Sequence, residues 1–315
     1  MSSQILSTDS MFSVREVPWH GLGIILQDAP DSKEAIKQAG LDWEVVQREL
    51  LTVDGKGKSI PVDNFIANVR DRDDMVLGVV GKNYKIVQNY EAFDFVDNLL
   101  GHGVTYETAG SLNNGKRIWL LARMKGVKIL GDKVNPYLIF TNGHDGINAV
   151  RAALTPVRVV CNNTLNFALK DAPRVWSTKH LGDVQSKLRA AEITLQIATN
   201  YLKDVKEYSE IMAEKQMTRD ALEDFINDMF PIDDNDTDRV KKSIVLLQDE
   251  LRERIVAPDL KKFNGTAWQA LNAVVDMANH SRPRRQTNTF AEKRFIKSID
   301  GDNLIEKAQK ILLAA

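Results

Sequence analysis

The 315-residue chain carries 42 Lys and Arg against 43 Asp and Glu, with five His, one Cys and 43% apolar residues. A net charge of −1 argues against wholesale attraction to nucleic acid, a lone cysteine excludes an internal disulfide or a CxxC zinc site, and no apolar run reaches the ~20 residues that span a bilayer. The start, MSSQILSTDSMFSVRE, lacks the basic and apolar segments of a secretory signal, so a cytoplasmic protein is expected.

Single cores stop growing at roughly 250 to 300 residues, so this length predicts two regions. Near the start, Pro18-Trp19-His20-Gly21-Leu22-Gly23 reads as a bend around an aromatic anchor rather than a phosphate loop, and Ile24-Ile25-Leu26 reads as a strand. Asp31 to Glu34 opens a short helix that Gly40 closes. The segments WEVVQREL, NFIANVR and MVLGVVG form a β meander, separated by the polar tracts DGKGK and DRDD. Asn89 is expected to cap a helix with Phe93, Phe95, Val96, Leu99 and Leu100 on its apolar side. In the strand that follows, Ile118, Leu120, Ala122 and Met124 face one way, and Arg117, Trp119, Leu121, Arg123 and Lys125 the other.

Residues 141–169, TNGHDGINAVRAALTPVRVVCNNTLNFAL, read as strand, strand and helix. Asn142 to Gly146 is turn chemistry for a hairpin. Arg151 alternates with Val150 and Ala152, Pro156 is expected to break the ladder, and Arg158 lies on a following strand that ends at Cys161. Asn162 or Asn163 is expected to cap a helix containing Leu165 and Phe167. Past residue 172 helical spacing takes over. Val184, Leu188, Ala191, Leu195, Ala198, Leu202, Val205 and Met212 fall on a seven-residue repeat broken only by Ser209, which predicts one long helix. Thr218 caps the next helix, an acidic turn with Asp233, Asp234, Asp236 and Asp238 precedes a helix to Ile255, and Thr266 opens another that reaches His280. Arg282-Pro283-Arg284-Arg285, with Lys293, Arg294 and Lys297, is the densest basic tract. The expected fold is α+β: an N-terminal β-rich domain, residues 1–172, with an antiparallel sheet packed by short helices, then a helical region, residues 173–315.

The chain carries no reaction-defining motif. His20, His102, His144, His180 and His280 show no paired ligand spacing, so no metal or other cofactor is expected. There is no GxSxG elbow and no GxxxxGK[ST] loop. Cys161 ends an apolar strand, where cysteine behaves as a small apolar residue. His144 and Asp145 could form an acid–base pair, but their turn context favours a structural role.

PWHGLG at 18–23, VVGKNYKIVQN at 79–89 with the EAFDFVDNLL helix, TPVRVVCNNTL at 155–165 and GTAWQALNAVVD at 265–276 together resemble the phage/plasmid-like protein family, domain of unknown function 932. The resemblance implies a mobile-element origin and brings no catalytic residues. The residues themselves lead to a non-enzymatic DNA-binding protein, acting on single strands in recombination or replication. Arg117, Trp119, Arg123, Lys125, Arg151 and Arg158 would line a strand-borne face, with Arg282, Arg284 and Arg285 beside the helical region. The competing expectation is a factor that binds host protein through the 184–212 seam and the acidic turn. No membrane partner is expected, and the helical region offers a route to homo-oligomers.

Overall fold

The computed structural model describes residues 10–15, 23–101, 105–158, 163–164, 175–196, 198–281 and 302–314. In chain order these form β1 (Met11–Val14), β2 (Ile24–Leu26), α1 (Ser32–Gln38), β3 (Val45–Val53), β4 (Ser59–Arg70), β5 (Val76–Gly81) and α2 (Asn89–Leu100). Next come β6 (Thr105–Leu112), β7 (Arg117–Arg123), β8 (Val127–Ile129), β9 (Asp132–Gly143), β10 (Val150–Arg158), β11 (Asn163–Thr164) and β12 (Val175–Thr178). The helices α3 (Val184–Gln196), α4 (Ala198–Glu214), α5 (Arg219–Met229), α6 (Asp238–Ile255), α7 (Ala267–His280) and α8 (Asn303–Ala314) follow, with a 3-10 turn at Pro258–Phe263 before α7. The α+β class is therefore as expected: antiparallel sheets with short helices first, helices afterwards.

The chain divides into two units. One holds residues 1–124, 137–154 and 174–198, the other residues 125–136, 155–173 and 199–315. In the first unit β1 lies parallel to β2 and antiparallel to β6, and β6, β7 and the 137–143 part of β9 continue an antiparallel sheet. β7 is thus an interior strand, paired from Arg117↔Gly143 to Arg123↔Tyr137 on one side and with β6 on the other. A separate three-stranded sheet has the order β3-β4-β5.

Local chemistry sets the helix ends. Asp31 accepts a hydrogen bond from Glu34 N at 3.0 Å to start α1, and Gly40 at φ 61° stops it. At α2 the expectation of an Asn89 cap gives way to Gln88, whose backbone N–H donates to the Glu91 carboxylate at 2.7 Å. Asn89 is one residue inside the helix and buried, where its amide serves a different purpose described below.

In the second unit α7 is buried almost all round, from Ala267 through Val275, with the polar Gln269 and Asn272 buried alongside its apolar residues. Thr218 and Thr266 cap α5 and α7 as read from the sequence, and Thr237 caps α6. Of the single helix expected over 184–212, the described residues form α3 and α4 on either side of residue 197, which lies outside them. The seam is spent inside the protein: Val184, Leu188, Leu202, Val205 and Met212 are buried, and so is Ser209, whose hydroxyl donates to Val205 O at 2.6 Å.

One local expectation is corrected: Pro156 lies within β10 instead of ending it. Asn163 belongs to β11, paired with Arg158, while Asn162 and the helix that either asparagine is expected to cap lie outside the described residues. Cys161, residues 165–174 and the loop at 18–22 lie outside the described residues.

Candidate functional site

The strand set picked from sequence is only partly a surface. The register does put Arg117, Trp119 and Arg123 on one side of β7, as alternation requires. At the Arg117 end, however, that side is covered: Arg117 is 7% exposed and Trp119 6%. The indole edge of Trp119 lies where Gly110, its register partner on β6, lacks a side chain. Arg123 is half-buried and donates to Glu107 at 3.3 Å, while Lys125, just past the strand, is exposed. Arg151 on β10 is half-buried, and burial pulls its guanidinium below the ordinary value. The side chain of Arg158, together with Arg282, Arg284, Arg285, Lys293, Arg294 and Lys297, lies outside the described residues.

The β9–β10 turn, singled out as turn chemistry, proves to be a buried polar hub. His144 is fully buried, and its Nε2 lies 3.0 Å from Asn89 Oδ1. Because the Asn89 amide nitrogen donates to Leu41 O and Trp43 O, its oxygen is the acceptor, so His144 must carry its proton on Nε2. Burial pushes the His144 pKa down to about 3, which keeps the ring neutral. Around it, Asn68 donates to His144 O at 2.8 Å, Tyr84 donates to Gly143 O at 2.7 Å, and Asn142 donates to Val87 O at 2.8 Å. The Tyr84 ring stacks on His180, 4.5 Å between centroids. Trp43 meets His144 edge-on, and Arg70 lies over Trp43 while gripping both oxygens of Asp73 at 2.7 Å. That grip holds the Asp73 carboxyl below its usual range.

This hub presses the 144–146 turn onto one side of the β3-β4-β5 sheet. Gly78 passes so close to Asp145 that any Cβ would sit 2.6 Å from its backbone, and Gly146 leaves comparable room for Val80. A hollow of about 450 Å³ beside the turn is lined by Leu77, Gly78, Asn113, Asn114, Lys116 and Asp145, among others. Among the described residues no group of three or more His, Cys, Asp or Glu is arranged to hold a metal ion.

The opposite side of that sheet is open in part, with Ala67 and Val69 buried among exposed neighbours. Arg48 and Val79 both register with Ala67, Val46 and Val76 with Val69, and Phe65 with Gly81, so these residues share one side. Phe65, Val76 and Val79 are each about half exposed, and Arg48 pairs with Asp74 at 2.7 Å in full view of solvent. At Asn64, with φ 66°, β4 leaves the sheet, and past a bulge the strands run on as a ribbon that pairs Leu51 with Pro61 and Val53 with Ser59. Every residue from 51 to 65 is at least partly exposed. Asp54 ties the tip by accepting from Lys56 N and Lys58 N, and both lysine side chains stay in solvent.

Sequence reasoning missed this surface. The signal was present in the DGKGK turn flanked by apolar alternation, the mark of a tight hairpin with two lysines at its tip.

No helix among the described residues is long and apolar enough to cross a membrane. Searches of curated proteins and of solved structures returned no match. Residues 76–299, more than half of the chain, match the family described as Domain of unknown function (DUF932), so the chain belongs to the DUF932 family.

Proposed function

We propose that this chain is a nucleic-acid-binding protein of mobile-element origin, which holds single-stranded DNA during recombination or replication in a bacterial cytoplasm without cutting or joining it. The carrying observation is the open side of the β3-β4-β5 sheet, with Phe65 half exposed at the base of a ribbon that ends in Lys56 and Lys58. An exposed aromatic on a sheet offers a platform for any base, and cations nearby offer contacts for the backbone phosphates. Arg48 supplies a third cation on the same side as Phe65. Its pair with Asp74 is solvent-exposed and therefore weak, so a phosphate competes with the carboxylate at little cost.

This moves the contact away from Arg117 and Trp119, whose burial leaves them no base or phosphate to touch. The basic tract at Arg282, Arg284 and Arg285 supports the same reading as a second cationic contact.

Fluorescence polarisation with a labelled thymidine oligonucleotide at low salt is the test. Phe65→Ala should weaken binding by about 5- to 150-fold, the ~1 to 3 kcal/mol of one stacked base. Lys56→Ala with Lys58→Ala should lower the slope of log affinity against log salt by about 0.7 for each phosphate that is no longer neutralised. Alanine at Arg282, Arg284 and Arg285 tests the tract in the same way. Wild-type protein that fails to bind at micromolar concentration ends the proposal.

A further inference from the structure

The hollow of about 450 Å³ beside the 144–146 turn is within the ~300 to 1,000 Å³ typical of small-molecule sites. Its walls are set by the fold of the first unit. The β6–β7 connection takes left-handed torsions at Asn113 (φ 54°), Asn114 (φ 61°) and Gly115 (φ 86°), which asparagine and glycine tolerate. Arg70 donates to Asn114 O at 3.2 Å, and His144 N donates to Lys116 O at 2.8 Å, so this connection is tied both to β4 and to the β9–β10 turn. The hollow is therefore preformed, with Asn113 and Lys116 supplied by one turn, Asp145 and Ile147 by the other, and Leu77 by β5.

The polar groups that line it differ in what they have left to offer. Asn113 is half-buried and Lys116 exposed, and neither the carboxamide nor the ammonium has a side-chain partner among the described residues. Asp145 is nearly spent. Its carboxylate accepts from Ile147 N at 2.9 Å, Asn148 N at 3.0 Å and Asn148 Nδ2 at 2.8 Å, which takes three of the roughly four acceptor positions a carboxylate has. The apolar lining is Leu77 and Ile147, and Ile147 is 86% exposed, a large side chain that a ligand in the hollow would cover.

We infer that this hollow binds a nucleoside monophosphate, with the phosphate on Lys116, the base edge on the Asn113 carboxamide and the base face on Ile147. Other small anions leave a group unmatched. Inorganic phosphate fills a fraction of the volume and leaves the apolar lining wet, and a sugar phosphate offers Ile147 no apolar face. A fatty acid leaves Asn113 unpaired, and an amino acid brings an ammonium whose three donors meet one remaining position on Asp145. A nucleotide supplies an anion for Lys116, a flat apolar face, and a donor–acceptor edge of the kind a carboxamide pairs with in two bonds. Adenine, through N6 and N7, is the base that matches this pairing. The remaining position on Asp145 accepts from a sugar hydroxyl. Gly78 and the turn pressed on it lie on the side of the β3-β4-β5 sheet away from Phe65, so this site is separate from the surface proposed for the strand.

Equilibrium dialysis of the full chain against adenosine 5′-monophosphate at low salt tests it, with a Kd below ~1 mM expected. Lys116→Ala should weaken the nucleotide on the order of tenfold, the loss of one charge-assisted contact, and leave adenosine unchanged. Asn113→Gly keeps the left-handed torsion while removing the carboxamide, and should weaken nucleotide and adenosine alike. Both variants should melt with the wild type. A 5′-phosphorylated deoxyadenosine oligonucleotide that displaces the nucleotide assigns the site to a strand end, and one that does not assigns it to the free nucleotide. Absence of binding at millimolar nucleotide overturns the inference, as does inorganic phosphate that binds equally tightly or an affinity that neither variant changes.

Discussion

Gly78→Ala should melt far below the wild type. An added Cβ meets Asp145 Cα and carbonyl oxygen at 2.6 Å, and both are backbone atoms that no rotamer change can move aside. The turn cannot drift away cheaply. It is held from three sides by Asn68 on His144 O, by His144 N on Lys116 O and by Tyr84 on Gly143 O. Overpacking of this kind costs about 3 kcal/mol or more. For a unit of this size that corresponds to a fall of roughly 6 to 12 °C in Tm. Gly81→Ala, on the same strand, is the control: its nearest neighbour beyond the adjoining residues is Asn64 O at 3.9 Å, so it should melt within about 2 °C of the wild type. Thermal melts followed by tryptophan fluorescence compare the two. Equal melting of both variants would mean that the turn does not sit on Gly78.

Acid should unfold the protein well before its carboxylates titrate. His144 has a folded pKa of about 3 because it is buried and neutral, whereas an unfolded histidine titrates near ~6.5. Between those values the unfolded state binds a proton that the folded state refuses, so stability is full above pH ~6.5 and falls as pH drops toward 3. The loss is about 1.4 kcal/mol per pH unit, or roughly 3 kcal/mol by pH 4.5 from this residue alone. His180, also lowered by burial, adds in the same direction as pH falls below ~6.5. Asp73 acts separately. Its lowered pKa makes a contribution that is present above the ordinary carboxylate range and lost only as pH falls through it, below most of the histidine window. Urea unfolding from pH 7.5 to 4.5 measures the slope. His144→Gln should start less stable at pH 7.5 and show a flatter profile, with the two curves converging toward acid. A wild-type profile flat across this range would remove His144 from the buried hub.

The structural role of His144 was legible in part. Asn142 to Gly146 announces a turn, and the turn is there, between β9 and β10. What no window of sequence displays is that Asn89, 55 residues away, and Asn68, 76 residues away, supply the donors and acceptors that let a histidine sit fully buried. The same holds for Arg117 and Trp119. Alternation assigns them correctly to one side of β7, but whether that side meets solvent depends on β7 being an interior strand packed against what lies above it.

The sequence by itself determined the α+β class, the sheet-then-helix order, most strand and helix positions, the caps at Asp31, Thr218 and Thr266, and the family to which the chain belongs. These rest on short-range physics: side-chain periodicity, capping and turn torsions act within a few residues. Only the tertiary structure decided which side of each sheet is open. On β4 a polarity reading would bury Phe65 and expose Asn68 and Arg70, yet Asn68 and Arg70 are buried and Phe65 is half exposed. The inversion has a physical cause. The amide of Asn68 is satisfied by His144 O, and the guanidinium of Arg70 by Asp73 and Asn114 O, so burying these polar groups costs little once distant partners are in place. Burial follows satisfied hydrogen bonds as well as hydrophobicity, and the partners that satisfy them are chosen by the fold.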